Sequence, residues 1–355
     1  MIDLVCGARP NFMKVDPVLR GLGGRIAARL VHTGQHYDHA MSQSFFDDLG
    51  LPRPDVNLEV GSASITVQTA MVMQRYEESL TDPLPDLVVV VGDVNSTLAC
   101  ALVAVRHGIP VAHVEAGLRS GDRTMPEEIN RLLTDQITDL LLLTSSEARR
   151  NLLREGRPGE AMVMVGNPMI DTLMRLMPAA RALALDPPGQ GAGLVTLHRP
   201  SNVDTPGRLR SILDSLGRMN GMRFVFPVHP RTRRNISSWG LEPSVPSNVV
   251  LTDPMPYLEF TAREDRAAVV ITDSGGVQEE TSVLGVPCVT VRPNTERPVT
   301  LELGTNALCP DPLDLPDMVE RQIGRRPATP PQIPLWDGRA GARIADAIGG
   351  FLKCT

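Results

Sequence analysis

Two doubly wound α/β domains are the fold class predicted by three features of the 355-residue sequence. The chain is too long for one hydrophobic core, since single cores stop growing at about 250–300 residues. Short apolar, β-branched runs alternate with helix-like segments, as in a parallel sheet covered on both faces. The same pattern then begins again after a stretch of small residues and proline at 177–193, which fits an interdomain connection.

Taken in order, apolar runs at 2–6, 29–32, 87–91, 111–114, 140–143 and 162–165 supply the strands of a first domain, placed at residues 1–170. Segments 98–107 and 127–139 fit crossover helices, the second with Pro126 at its entrance, where a missing amide costs little. Runs at 193–197, 223–228, 249–251, 267–272, 287–291 and 307–309 supply the sheet of a second domain, placed at 171–337. A proline-rich strap at 326–334 leads to a last helical segment, 338–355, expected to return to the first domain. Ligands of open α/β sheets bind beyond the carboxyl ends of the strands. Two such sheets predict a ligand held in the cleft between them.

Composition narrows the ligand. The formal charge of −6 and an aromatic content of 3% argue against extended nucleic-acid binding, which needs basic surface and stacking platforms. No apolar run approaches the ~18 residues that would span a bilayer, and the N-terminal sequence lacks the marks of a signal peptide. The five cysteines are odd in number, widely spaced and without a CxxC pair, so neither zinc nor a disulfide framework is expected and a reducing cytoplasm is. Lys14 and Lys353 are the only lysines in the chain, the remaining positive charge being arginine.

Four segments place polar residues just past strand-like runs, where a buried sheet has no use for them. In Gly7-Ala8-Arg9-Pro10-Asn11-Phe12-Met13-Lys14, a glycine followed by two cations at a helix start favours an anion. Asp93 follows five apolar residues and fits a ligand contact and a helix N-cap equally well. Glu115 ends a short apolar strand, an expensive place for a charge unless it is paired or used. Glu127 and Glu128 open a helix, where capping alone accounts for them. Asp93, Glu115 and Glu127 could crowd one cleft, and mutual repulsion would raise one pKa toward neutrality. In the second domain, Thr272-Asp273-Ser274-Gly275-Gly276 runs from a strand into a helix. It offers free amides and a hydroxyl to phosphate oxygens, and the glutamates after it could accept from ribose. His198 and His229 each stand just past a strand on the same side of that sheet, which adds to their weight as ligand contacts. GxGxxG with a distal acid, the P-loop and metal-ligand spacing are all absent from the sequence. These residues together indicate a two-domain enzyme acting on a nucleoside-diphosphate compound.

GARPNFMKVDPVL, TGQHYD, GDVNSTLA, HVEAGLRSGD, PEEINR, GNPMID, TLHRPSNVD, FPVHPRTR, DSGGVQEE and TERPVTLELGTN stand in this order along the chain. The ordered set resembles the bacterial UDP-N-acetylglucosamine 2-epimerases of the non-hydrolysing type. The resemblance implies a GT-B-type pair of Rossmann-like domains with the active site in the interdomain cleft, and a homodimer. It implies interconversion of UDP-N-acetylglucosamine and UDP-N-acetylmannosamine, or a close 2-acetamido sugar, by elimination of UDP to a 2-acetamidoglucal and re-addition, with no cofactor and no metal. By the same resemblance Asp93, Glu115, Glu127 and His198 are catalytic, while Arg9, Lys14, Ser274, Gly275, Gly276 and Glu280 contact UDP; His229, from its own place past a strand, is taken as a further UDP contact. The chain departs from the family at an activating second site, where Gln35-His36-Tyr37-Asp38 replaces Gln-His-x-Gln and the Arg-Gln pair is missing near 61–65. Activation by UDP-N-acetylglucosamine is therefore not expected. Two rivals share the fold: a hydrolysing epimerase that releases N-acetylmannosamine and UDP, and a nucleotide-sugar glycosyltransferase. A nucleotide-sugar sensor without turnover is a third reading.

Overall fold

The computed structural model describes residues 1–7, 9–34, 49–185 and 191–354, with the side chains of Arg9, Pro10 and Cys354 excepted. The chain forms two compact units, Met1–Arg175 with Pro334–Thr355, and Leu176–Ile333.

The first unit carries seven parallel strands: β1 (Ile2–Cys6), β2 (Ala28–His32), β3 (Val56–Asn57), β4 (Leu87–Val91), β5 (Val111–Ala116), β6 (Leu140–Leu143) and β7 (Met162–Met164). Their order across the sheet is β3-β2-β1-β4-β5-β6-β7. The second unit carries six: β8 (Gly193–Thr196), β9 (Phe224–Pro227), β10 (Val249–Thr252), β11 (Val269–Thr272), β12 (Cys288–Thr290) and β13 (Asn306–Leu308), ordered β10-β9-β8-β11-β12-β13. Both sheets are parallel throughout, and both reverse direction of growth once, at β1/β4 and at β8/β11. The two doubly wound sheets are those expected from the apolar runs.

Local sequence explains most elements. β4 is Leu-Val-Val-Val-Val and buried along its whole length, as a central strand covered on both faces must be. The helix Asn95–Arg106 that follows has mostly small residues on its buried side, Ala, Ser, Thr and Cys with Leu98 and Val103, which lets it lie close against the sheet. The helix Pro126–Ile137 starts on the proline, as anticipated. Two elements carried too weak a pattern to be anticipated. β3 has only two residues, and the helix Ile65–Ser79 buries only Val72 and Tyr76. Its start is fixed by Ser64, whose hydroxyl accepts from the Val67 amide. Residues 177–182, expected to belong to the connection, are instead the last turns of the helix Pro168–Ala182. Buried Met177 and Ala180 hold that helix together past Pro178. The positions 35–38 fall outside the described residues.

One buried charge lies on the first strand. Asp3 of β1 is fully buried, and Arg29 grips both its oxygens at 2.8 and 2.7 Å while the Tyr76 hydroxyl donates to it at 2.9 Å. Cys6, Cys100, Cys288 and Cys309 are buried free thiols, and burial raises the pKa of each. Among the described residues no helix is long and apolar enough to cross a membrane.

The C-terminal helix Ala340–Cys354 belongs to the first unit and packs along the helix Arg9–Leu22. Its orphan N-terminal amides are met by Asp171, which accepts from Ala340 at 3.0 Å and Gly341 at 2.8 Å. Trp336, just before it, donates from Nε1 to the Thr144 carbonyl at 3.0 Å. Asp171→Ala removes this cap and is expected to cost about 1–2 kcal/mol, visible as a drop of a few degrees in the melting temperature. An unchanged melting curve would show that the helix is anchored by other contacts.

Candidate active site

In the first unit the polar residues gather where β1, β4 and β5 end. Glu115 is the penultimate residue of β5, and its φ of 75° is left-handed, a conformation non-glycine residues rarely adopt. The register between β5 and β6 slips at this point, so Glu115 is the extra residue of a bulge. The bulge turns its carboxylate to Lys14, with which it forms a buried ion pair. Gly92, just past β4, has φ 71° and lies against this pair. A Cβ there would come to 3.0 Å from Asn11 Nδ2, 3.4 Å from Lys14 Nζ and 3.5 Å from Glu115 Oε2. Only glycine gives that approach. Asn11 locks the corner by donating to the Val91 carbonyl at 2.8 Å.

Asp93 follows at once, with 27% of its side chain exposed, and Arg131 Nη1 donates to it at 2.5 Å. Arg131 comes from the helix Pro126–Ile137, and its neighbour Asn130 donates to the Asp93 carbonyl at 2.9 Å. Glu127 stands one turn earlier on the same helix face, half-buried and, among the described residues, without a partner. Lys14, Glu115, Asp93 and the helix end bearing Glu127 are thus assembled at the β1/β4 reversal. The acids do not repel one another unpaired, as the sequence suggested: Glu115 has Lys14 and Asp93 has Arg131. A cation beside each carboxylate is the cheaper solution to burying it.

Glu128 has a structural task. It accepts from the amides of Ser120 and Gly121 at 3.0 and 2.9 Å and from Arg131 Nη2 at 2.7 Å, pinning the loop after β5. A second clamp, which the sequence did not reveal, lies beneath. His113 Nδ1 meets Asp135 Oδ1 at 2.7 Å and its Nε2 meets the Gly92 carbonyl at 2.7 Å, while Asp135 also accepts from the Gly117 amide and Arg119. Burial alone would raise the Asp135 pKa, but His113 and Arg119 outweigh it and hold the carboxyl below its ordinary range. Asp135 sits inside a helix 22 residues from His113, so no local pattern marks the pair. Only the backbone of Arg9, at the head of the helix Arg9–Leu22, lies within the described residues.

In the second unit the corresponding place is the β8/β11 reversal. Asp273, fully buried after β11, accepts from the amides of His198 and Arg199 at 3.1 and 3.0 Å, from Asn202 Nδ2 at 3.0 Å and pairs with His198 Nδ1 at 3.0 Å. Burial pushes its pKa up, yet His198, Asn202 and the Arg199 amide together hold it low. The ring of His198, tied at Nδ1, remains 53% exposed. Asp273 repeats the pattern of Asp93, an acid after a β-branched run, and that pattern could have marked it as a site residue.

Ser274 holds the N-cap position of the helix Gly275–Leu284 without a side-chain capping bond, and the first amides, Gly275 and Gly276 among them, have no acceptor within the helix, the kind of end that suits an anion. At Gly275 a Cβ would fall 2.7 Å from Glu296 Oε1 and 2.9 Å from the Arg297 guanidinium carbon. Glu296 is paired with Arg297 at 2.6 Å and Arg292 at 2.8 Å; although burial raises its pKa, these arginines and Arg199 hold it far below the ordinary range. Glu280 lies further along the same helix, buried, accepting from the Tyr257 hydroxyl at 2.6 Å. His229 caps the helix Pro230–Ser238 through Nδ1, which accepts from the Arg231 amide at 3.2 Å, and is exposed. His198, Ser274, Gly275 and Gly276 are therefore drawn together around Asp273, with Glu280 inside the same helix and His229 beyond β9. Among the described residues no three His, Cys, Asp or Glu side chains gather as a metal site.

Residues 23–349 match the family model described as UDP-N-acetylglucosamine 2-epimerase. The UDP-N-acetylglucosamine 2-epimerase of Methanocaldococcus jannaschii is 40% identical over 97% of either chain. The UDP-2,3-diacetamido-2,3-dideoxy-D-glucuronate 2-epimerase of Pseudomonas aeruginosa is 38% identical over 97% of this chain and 98% of its own. A crystal structure of the M. jannaschii UDP-GlcNAc 2-epimerase, in complex with UDP-GlcNAc and UDP, matches with a TM-score of 0.91 at 38% identity, covering 98% of this chain and 99% of the other. The chain belongs to the UDP-N-acetylglucosamine 2-epimerase family and has its GT-B-type pair of Rossmann-like domains.

The Glu128 clamp gives a pH-dependent test. Burial raises its pKa, but the Ser120 amide, Arg131 and the Gly121 amide bring it below the ordinary 4.5. Stability from this group is therefore complete above 4.5 and lost as pH falls through the lower folded value. Glu128→Gln is expected to lower the melting temperature at neutral pH and to flatten its further fall in acid. Parallel curves for the two proteins would show that Glu128 does not carry this linkage.

Proposed function

We propose that this chain is a UDP-N-acetylhexosamine 2-epimerase of the non-hydrolysing type, using the acids of the first unit and the anion cradle of the second on one substrate molecule. The observation that carries the reading is that both strand reversals are furnished, one with Glu115, Asp93 and a lysine, the other with a helix N-terminus free of side-chain capping and a histidine fixed by Asp273. That is the equipment a nucleoside-diphosphate sugar needs when its glycosidic bond is the one that breaks.

A carboxylate takes the C2 proton, the C2–H electron pair becomes the C1–C2 double bond, and the C1–O pair leaves with UDP. Re-addition of UDP with protonation of C2 from the other face completes the epimerisation. The C2–H bond is not acidic, so C1–O cleavage runs ahead and the ring becomes oxocarbenium-like. Catalysis then consists of stabilising positive charge in the ring and negative charge on the departing oxygen. Asp93, Glu115 and Glu127 serve the ring and the proton. The amides of Gly275 and Gly276, Ser274 and the exposed face of His198 serve the diphosphate, Lys14 and Arg9 add positive charge at the nucleotide, His229 adds a contact to UDP, and Glu280 accepts from the ribose. No cofactor enters this scheme.

A second sugar has specific support, because the P. aeruginosa relative, 38% identical, is named for a 2,3-diacetamido glucuronate. Proton NMR in D₂O with each UDP-sugar decides the outcome. Deuterium at C2 of a UDP-linked product is expected; free N-acetylmannosamine would mean hydrolysis, and unexchanged C2 with either sugar would sink the epimerase reading. Glu115→Gln is expected to lower turnover by about 10²–10⁴-fold with UDP affinity nearly unchanged by calorimetry. An equal loss of UDP affinity would assign Glu115 to structure.

A further inference from the structure

Glu280 sits in a concentration of acid that the proposed chemistry does not require. It is enclosed in the second unit, where the Tyr257 hydroxyl donates to its Oε1 at 2.6 Å. Glu279, its neighbour on the same helix, is buried and paired with Arg297 at 2.7 Å. From the helix Tyr257–Arg266, packed against it, Glu264 is fully buried with neither carboxyl oxygen hydrogen-bonded. Asp265 on that helix and Cys288 on β12 complete the titratable groups around Glu264. A fully buried carboxyl without a partner is stable only in its neutral form. Glu264 therefore carries its proton, its pKa raised well above the ordinary range by burial first and by Glu280 second.

We propose that Tyr257 is the positioning residue for Glu280, and that capture of a ribose there requires Glu280 to release one proton to solvent. This rests on the reading of Glu280 as the ribose acceptor. A carboxylate accepts from two ribose hydroxyls at once, whereas a carboxylic acid must spend one oxygen as a donor. The exchange is Glu280–COOH plus ligand going to the Glu280 carboxylate with bound ligand and a free proton. The Tyr257 bond holds one oxygen, leaves the other to be aimed, and favours the charged form. Burial raises the Glu280 pKa, Tyr257 draws it down and Glu279 pushes it up, leaving it at about 7. In the empty protein burial and Glu279 thus favour the protonated form, and the nucleotide must displace that proton.

The test is the affinity for UDP-N-acetylglucosamine, a diphosphate diester of constant charge, measured by calorimetry from about pH 5.5 to about 8.5. Glu280→Gln, titrated alongside, subtracts the contributions of His198 and His229. The wild-type affinity relative to Glu280→Gln is expected to rise about tenfold per unit up to a break near 7 and then level off. Tyr257→Phe is expected to weaken binding about tenfold at high pH and to move the break upward, because the bond favouring the carboxylate is gone. Glu264→Gln, which replaces an already neutral group, is expected to leave the break in place; a downward move would mean Glu264 is charged and would overturn the proton assignment. A ratio independent of pH overturns the proton-release inference while leaving Glu280 as a ribose contact. A break unmoved by Tyr257→Phe removes Tyr257 from its positioning role. Equal affinity of Glu280→Gln and wild type at every pH would instead sink the ribose reading itself.

Discussion

A parallel sheet that reverses its strand order leaves two neighbouring strand ends whose crossover connections depart in opposite directions, so the backbone there is covered by no helix. Each unit has one such reversal, β1/β4 and β8/β11, and nearly every polar residue of consequence stands on it. The constraint acts before any chemistry. It decides that the segment after β1 and the segment after β4 must meet, and likewise those after β8 and β11. Asn11 tied to the Val91 carbonyl, and Asp273 tied to the amides of His198 and Arg199, are the stitches that close the two places.

The two places handle buried charge in different ways. In the first unit four carboxylates are each given a cation or a set of amides: Glu115 has Lys14, Asp93 has Arg131, Glu128 has Arg131 and the 120–121 amides, and Asp135 has His113 and Arg119. Such pairs fix geometry more than they add stability, because desolvation offsets much of the attraction. The left-handed backbone of Glu115 is a further cost, of order 1–3 kcal/mol, borne at the one acid whose orientation the bulge sets. In the second unit the arginines concentrate around Glu296 and Glu279, and Glu264 and Glu280, on two neighbouring helices, are left short of cations. Protonation takes the place of pairing there.

The differing legibility of individual residues follows from the range of the forces involved. Asp93, Glu115 and the Ser274-Gly275-Gly276 turn were visible because each interrupts a β-branched run, and a charge or a glycine at a strand end is a local signal. Asp273 carries the same signal, directly after the run Val269–Thr272. The short β3 and the weakly buried helix Ile65–Ser79 were not visible, since two residues and two buried side chains give no period. Pairings across the chain were hidden altogether: Lys14 with Glu115 spans 101 positions and Asp93 with Arg131 spans 38.

By itself the sequence determined the alternation of strands and helices, the division into two similar halves, the absence of basic and stacking surface, and the short list of acids, glycines and histidines able to do chemistry. All of these are properties of residues and of their near neighbours. Only the tertiary structure decided which acid has which cation, that Glu128 supports a loop while Glu127 on the next position is left without a partner among the described residues, and that Tyr257 and Glu264 surround Glu280. The reason is that ionisation and orientation depend on burial and on groups brought together through space, and neither quantity is written at any single position of a chain.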